Sequence, residues 1–215
     1  MSKSVLVLGV ARSGTSMTAG MLSIIGVEMH EKKGPPKVAA QNPKGAFENV
    51  NFTTITSKMH QALKDGKPMR VVKQQYDQRL TDAITYHKKP LWGFKSAAAH
   101  HVLGIILPLL ENPHLVVVVR SLMHNAQSWQ IHMKDVYGSK VALQDALKNI
   151  SDSQHILMRN SLASSCPKLF TSYEGIKKDP VAEAERMSKF LGVDPEPKKQ
   201  DILDFIMPEY STLKS

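Results

Sequence analysis

Apolar residues follow two spacings along this chain, and the two alternate. Val5-Leu6-Val7-Leu8 and Leu115-Val116-Val117-Val118-Val119 run without interruption, as strands covered on both faces do. Leu91-Trp92-Gly93-Phe94-Lys95 and Lys168-Leu169-Phe170-Thr171-Ser172 are shorter runs that also read as strands. Between them the period lengthens. Met17, Met21, Ile24 and Ile25 recur at helical spacing before a stop at Gly26, and Phe52, Ile55, Met59 and Leu63 predict a helix over 51–64. Val102, Ile105, Ile106, Leu109 and Leu110 form a helical stripe that Pro108 should kink or restart. A helix over 122–136 follows, with Ser121 as its cap, and 138–161 is mainly helical. Asp179-Pro180 opens another that closes at Leu191-Gly192, and a short one surrounds 201–207. Residues 69–72 read as a short strand or loop, and 78–87 as weakly helical.

Strands alternating with helices predict an α/β fold: three αβα layers around a central, mostly parallel sheet, with ligands at the strands' carboxyl ends. The length of 215 residues predicts a single domain over 1–215. One stretch breaks the alternation. Residues 26–45 are polar and interrupted by Gly34-Pro35-Pro36 and Asn42-Pro43, so 27–50 reads as a lid or acceptor-binding loop.

Charge and cysteine content narrow the classes of partner. The net charge of +9 favours anionic ligands, but the basic residues are spread from Lys3 to Lys214 and not gathered in one arm, which argues against nucleic acid. One cysteine, Cys166, excludes a disulfide framework and a cysteine-based metal site. With no signal-type segment at the N-terminus and no apolar run near the roughly 18 residues of a membrane span, the expected location is cytoplasmic, without membrane insertion. Oligomeric state is not readable.

The chemistry gathers where strands are expected to end. Gly9-Val10-Ala11-Arg12-Ser13-Gly14-Thr15-Ser16 joins the first strand to the first helix, and a glycine-bounded loop before a helix N-terminus is an anion cradle. The stretch nearly fits the triphosphate pattern G-x-x-x-x-G-K-[ST], but Thr15 stands at the lysine and the cation has moved to Arg12. Lys95, Arg120 and Tyr173 each follow another predicted strand. A single basic residue there would be a solvated strand end; four polar residues at equivalent points suggest a site.

With these motifs in order, the chain resembles sulfotransferases that use 3′-phosphoadenosine 5′-phosphosulfate (PAPS). Arg12-Ser13-Gly14-Thr15-Ser16 is similar to the family's loop for the donor's 5′-phosphosulfate, with arginine in place of lysine as in tyrosylprotein sulfotransferases. Val117-Val118-Val119-Arg120, with Ser128 eight residues on, resembles its 3′-phosphate grip. Asn42-Pro43-Lys44-Gly45-Ala46-Phe47-Glu48 and Trp92-Gly93-Phe94-Lys95 resemble bacterial members, and Ser172-Tyr173-Glu174, Asp179-Pro180 and Phe190-Leu191-Gly192 the family's ending. Two departures stand out. Ala97 occupies the position of the cytosolic enzymes' histidine base, and their late glycine-rich donor segment has no match.

The resemblance implies a P-loop-like phosphosulfate-binding loop after the first strand and PAPS as co-substrate, held by Ala11, Arg12, Ser13, Gly14, Thr15, Ser16, Arg120, Ser128 and Tyr173. Arg12 and Lys95 would act on the leaving group, and the acceptor would be a small molecule or saccharide offering a hydroxyl or amine. Glu48 is the first choice as general base, because it follows the lid-like loop and such carboxylates serve in related enzymes; otherwise it is a surface or capping carboxylate. His100 and His101 are the alternatives. No metal is expected, since the valine strand ends in Arg120 where a triphosphate enzyme places a magnesium-binding aspartate. Two other readings remain: a degenerate nucleotide kinase, and a non-catalytic nucleotide- or polyanion-binding module.

Overall fold

The computed structural model describes residues 2–29, 45–194 and 198–206. Five strands form one sheet, all parallel, in the order β2-β3-β1-β4-β5. They are β1 (Lys3–Gly9), β2 (Glu28–Met29), β3 (Leu91–Lys95), β4 (Pro113–Val119) and β5 (Lys168–Ser172). Alternation along β1 divides the core. Leu6 and Leu8 pack on one face with Phe52, Met59, Leu80, Ile105 and Leu157; Val5 and Val7 pack on the other with Met17, Met21, Met187 and Ile202.

Helices cover both faces and complete the predicted three layers. The first face carries α2 (Val50–Lys64), α3 (Met69–His87), α4 (Leu103–Ile106), α5 (Leu122–Tyr137) and α6 (Leu143–Ala163). The second carries α1 (Thr15–Ile24), α7 (Tyr173–Lys178), α8 (Pro180–Leu191) and α9 (Lys199–Ile206). Phe52 of α2 stacks on Phe94 of β3 with ring centroids 4.0 Å apart, which anchors the helix that follows Glu48. Asn49 caps that helix, its side chain accepting from the N–H groups of Asn51 at 2.9 Å and Phe52 at 3.3 Å. Such a cap contributes about 1 kcal/mol and holds the backbone beside Glu48.

The local expectations are met at most elements and missed at a few. Residues 69–72 are neither strand nor loop but the start of α3, whose N-cap is Pro68. Burial of Val72, Tyr76, Leu80, Ala83 and Ile84 along one stripe outweighs the β-branched Val71-Val72 pair. Ser121 precedes α5, yet its side chain makes no capping bond; its N–H donates instead to Glu174 Oε1 at 3.1 Å. The valine strand β4 is internal and buried, but β1 holds the centre of the sheet. β2 falls inside the predicted loop and is defined by pairing with β3. Most of the predicted lid, with Asn42, Pro43 and Lys44, lies outside the described residues. No helix among the described residues is long and apolar enough to cross a membrane.

Candidate active site

Parallel register brings the strand ends to one edge. Gly9 lies level with Val118, Val7 with Lys95, and Val119 with Ser172. The loops beyond them therefore open side by side, and three polar groups occupy that edge.

The first group is built on the loop between β1 and α1. Arg12 and Gly14 adopt left-handed φ values of 67° and 97°. A left-handed residue in a tight loop is the geometry in which successive amides form an anion-binding concavity. A Cβ on Gly14 would lie 2.8 Å from the Tyr173 ring, and one on Gly9 would lie 2.5 Å from Ser13 Oγ, so both positions require glycine. Gly14 is the N-cap of α1 and offers no side chain, which leaves the helix's first amides without a side-chain cap. Ser13 Oγ is buried with no hydrogen-bond partner.

Arginines gather on this loop. Arg12 Nε donates to Ser128 Oγ at 3.3 Å, and Arg120 Nη1 donates to the Arg12 carbonyl at 2.9 Å. The Arg120 guanidinium lies 4.2 Å over the Tyr173 ring, and its Nε is buried without a partner. Ser128 thus bonds to Arg12 of the phosphosulfate-type loop, where the sequence motif paired it with Arg120. Asn125 is fully buried and donates to the carbonyls of Ala11 at 2.9 Å and Arg12 at 3.3 Å once its amide nitrogen is turned toward them. Gln154 on α6 donates to the Arg120 carbonyl at 3.1 Å. Neither Asn125 nor Gln154 stands out in the sequence, because a polar residue on an amphipathic helix has no local mark of burial.

The second group centres on Lys95, the last residue of β3. Its Nζ lies 2.8 Å from Glu48 Oε1 and donates to Ser16 Oγ, in the first turn of α1, at 3.1 Å. Lys95 is 5% exposed, and burial pushes its ammonium below the usual lysine range; Glu48 opposes that shift and Arg12 adds to it. Glu48 follows Phe47, which has a left-handed φ of 52°. Ser96 fixes the chain leaving β3, its Oγ 2.7 Å from Thr56 Oγ1 on α2.

The third group is a stack of histidines. His100 and His101 lie on a short turn after β3, their rings 4.0 Å apart, and His101 stacks on His60 of α2 at 3.7 Å. They border a cavity of about 190 Å³ that Val10, Ala11 and Trp129 also line. Burial first, and then His60, lowers His100 to about 4, with the Ala97 backbone opposing. Burial first, and then His100, His60 and Lys64, lowers His101 to about 3. Above pH 6.5 these rings are neutral whether the chain is folded or not. Below it, the unfolded rings protonate while the folded His100 resists, so stability should fall as pH drops from 6.5 to about 4. For His100 that interval corresponds to about 3 kcal/mol. Urea midpoints at pH 7 and pH 4.5 measure it, and His100→Gln should flatten the dependence; equal slopes for the two proteins would refute the assignment.

Among the described residues, no group of three or more His, Cys, Asp or Glu side chains is arranged to hold a metal ion. Residues 4–197 match the model of the sulfotransferase family. Comparison with curated protein sequences found no match. Solved structures are similar in fold. The sulfotransferase domain from the curacin biosynthetic pathway is 17% identical over 93% of this chain and 77% of its own, with a TM-score of 0.56. A mouse sulfotransferase complexed with PAP is 12% identical over 99% of this chain and 68% of its own, at 0.59. Retinol dehydratase, in complex with androsterone and inactive cofactor PAP, is 16% identical over 94% of this chain and 64% of its own, at 0.52.

Proposed function

The chain belongs to the sulfotransferase family, and we propose that it transfers a sulfuryl group from PAPS to a hydroxyl of a small acceptor. The observation that carries this reading is the convergence of Arg12, Lys95 and Arg120 around the first turn of α1. The site fits an anionic nucleotide on its own terms: a helix start with no side-chain cap, glycines where any Cβ would collide, and buried polar atoms of Ser13 and Arg120 with no protein partner. Two proteins of the same fold are complexed with PAP, which supports a 3′-phosphoadenosine nucleotide as the ligand.

When bound, PAPS supplies an activated sulfuryl group whose leaving group is the nucleotide's 5′-phosphate. The loop 11–16 and Arg12 hold that phosphate, while Arg120, Ser128 and Tyr173 hold the adenosine 3′-phosphate side. Lys95, fixed against Ser16, places a cation beside the same turn, where charge develops on the leaving oxygen. Glu48 takes the acceptor's hydroxyl proton. Lys95 engages its Oε1, which leaves the second carboxylate oxygen for that proton. The acceptor oxygen then bonds to sulfur as the bond from sulfur to the phosphate oxygen breaks. Sulfuryl transfer resembles phosphoryl transfer, so positioning and fixed charge do most of the work.

Adenosine 3′,5′-bisphosphate (PAP) should stabilise the fold thermally far more than AMP, which lacks the 3′-phosphate that Arg120 and Ser128 are proposed to hold. Loss of one charge-assisted contact costs about 1.5–3 kcal/mol, or roughly ten- to a hundredfold in affinity. Stabilisation by PAP should persist in EDTA, because Arg120 stands where a magnesium-binding carboxylate would be needed. Equal shifts from PAP and AMP, or a strict need for Mg²⁺ with preference for ATP, would overturn the reading in favour of a kinase.

A further inference from the structure

We propose that Asn125 is a positioning residue for the donor site: its buried amide holds the Ala11 and Arg12 carbonyls against α5 and so fixes the left-handed Arg12 on which capture of the donor's 5′-phosphate depends. The proposal rests on the sulfotransferase reading for the identity of the ligand and on the loop's own bonds for the role.

The bonds come first. An amide nitrogen carries two hydrogens, and two successive carbonyls take both, Ala11 at 2.9 Å and Arg12 at 3.3 Å. The opposite orientation would set the amide oxygen against both carbonyl oxygens with no donor between them, so the surroundings decide which way the amide faces. Asn125 has no exposed surface, so it does not meet a bound nucleotide and acts only through the loop. Ser128, one turn further along the same helix, accepts from Arg12 Nε at 3.3 Å. One face of α5 thus holds Arg12 by both its backbone and its side chain.

Arg12 needs that support. Its φ of 67° lies in the left-handed region, which the Cβ of an arginine disfavours and which persists only where the surroundings over-determine it. Gly14, at 97°, has no Cβ and needs no such help. The Arg12 carbonyl accepts from Asn125 and from Arg120 Nη1 at 2.9 Å, and the Ser13 N–H closes the turn on the Val10 carbonyl at 3.1 Å. In a trans peptide the N–H points away from its C=O, so an Ala11 carbonyl held against α5 turns the Arg12 N–H to the opposite side of the loop. The path of residues 11–14 also sets the entry into α1, whose first amides have no side-chain cap. Those amides are the groups that bind a phosphate at a helix start.

The two donors to the Arg12 carbonyl differ in what else they do. Arg120 is assigned to the 3′-phosphate side of the nucleotide, whereas the buried Asn125 reaches no ligand. When the Arg120 guanidinium turns to the nucleotide, Asn125 keeps the Arg12 carbonyl paired. The 5′ half of the site therefore keeps its shape whether or not Arg120 is engaged. Removing Asn125 strikes the 5′ end of the ligand selectively, which separates this role from a general contribution to the fold.

The test is calorimetry with PAP and with adenosine 3′-monophosphate, which lacks the 5′-phosphate, so that the ratio of their affinities isolates the 5′ end. In the native chain PAP should bind the more tightly of the two. Asn125→Ala should weaken PAP roughly tenfold or more, as expected when buried carbonyls lose their donor, while adenosine 3′-monophosphate stays within about threefold. Thermal melting of the same proteins gives Tm beside the ratio. An unchanged ratio, whatever happens to Tm, would mark Asn125 as merely structural and overturn the proposal, and so would equal weakening of the two ligands. Should Asn125→Ala fail to fold, Asn125→Thr keeps nearly the same volume but can donate to at most one of the two carbonyls, and it should show the same selective loss. Failure of the native chain to bind PAP would instead overturn the sulfotransferase reading, and this role for Asn125 with it.

Discussion

Glu48→Gln should lower turnover by about 10²–10⁴ while PAP binding changes little, the loss expected when a general base is removed. Glutamine keeps the size of the side chain and its hydrogen bond to Lys95, but it cannot accept a proton. The ion pair adds a second route that has to be separated from the first. Glu48 lies 2.8 Å from a buried ammonium whose charge it helps to hold, so neutralising it lets burial push Lys95 lower still. If proton acceptance is the role, turnover is lost while PAP affinity stays within a few fold. If support of Lys95 is the role, PAP affinity falls together with turnover. His100→Ala belongs beside it, because His100 is the other candidate base. Normal turnover in Glu48→Gln with a dead His100→Ala would move the base to the histidine; normal turnover in both would remove both from the chemistry.

The strand ends were legible because burial on two faces leaves a mark in the sequence. Val5 to Leu8 and Leu115 to Val119 are uninterrupted apolar runs, and the residues just past them, Arg12 and Arg120, stand at the site edge. Gly9 and Gly14 were legible for a related reason: close backbone approach excludes a Cβ, and two glycines spaced across a strand-to-helix turn show it. What was not legible is pairing at long range. Arg12 and Ser128 are 116 residues apart, Lys95 and Glu48 are 47 apart, and no local pattern announces either bond. The histidine stack joins α2 to the turn after β3, and His60 on its own reads as an ordinary polar helix position. α3 was half seen. Its apolar stripe starts at Val72, but the polar residues between and the local Val71-Val72 pair masked the first turn. β2 left no signal of its own, being two residues whose conformation is set by the neighbouring strand.

Lys95→Met should reduce turnover by about 10²–10³, the loss typical of removing one fixed electrostatic donor from a reacting centre, with no loss of thermal stability. Methionine keeps most of the lysine's length and is flexible enough to occupy the same buried space. It removes the charge together with the desolvation penalty that a buried ammonium carries, and the cost of breaking an ion pair is large only where the remaining partner stays buried. Glu48 loses its partner in the exchange, but its side chain is 30% exposed and can turn to water. Stability and activity should therefore separate, which a merely structural lysine would not allow. The pH profile provides the second readout. Burial pushes the Lys95 ammonium below the ordinary lysine range, so in the native enzyme kcat should decline on the alkaline side at a lower pH than an exposed lysine would produce. That limb should vanish in Lys95→Met. Lys95→Arg is not a conservative rescue, because a planar fork does not fit a space shaped around one ammonium between Glu48 Oε1 and Ser16 Oγ. Full turnover in Lys95→Met with an unchanged alkaline limb would remove this residue from the chemistry and leave Arg12 as the cation at the leaving group.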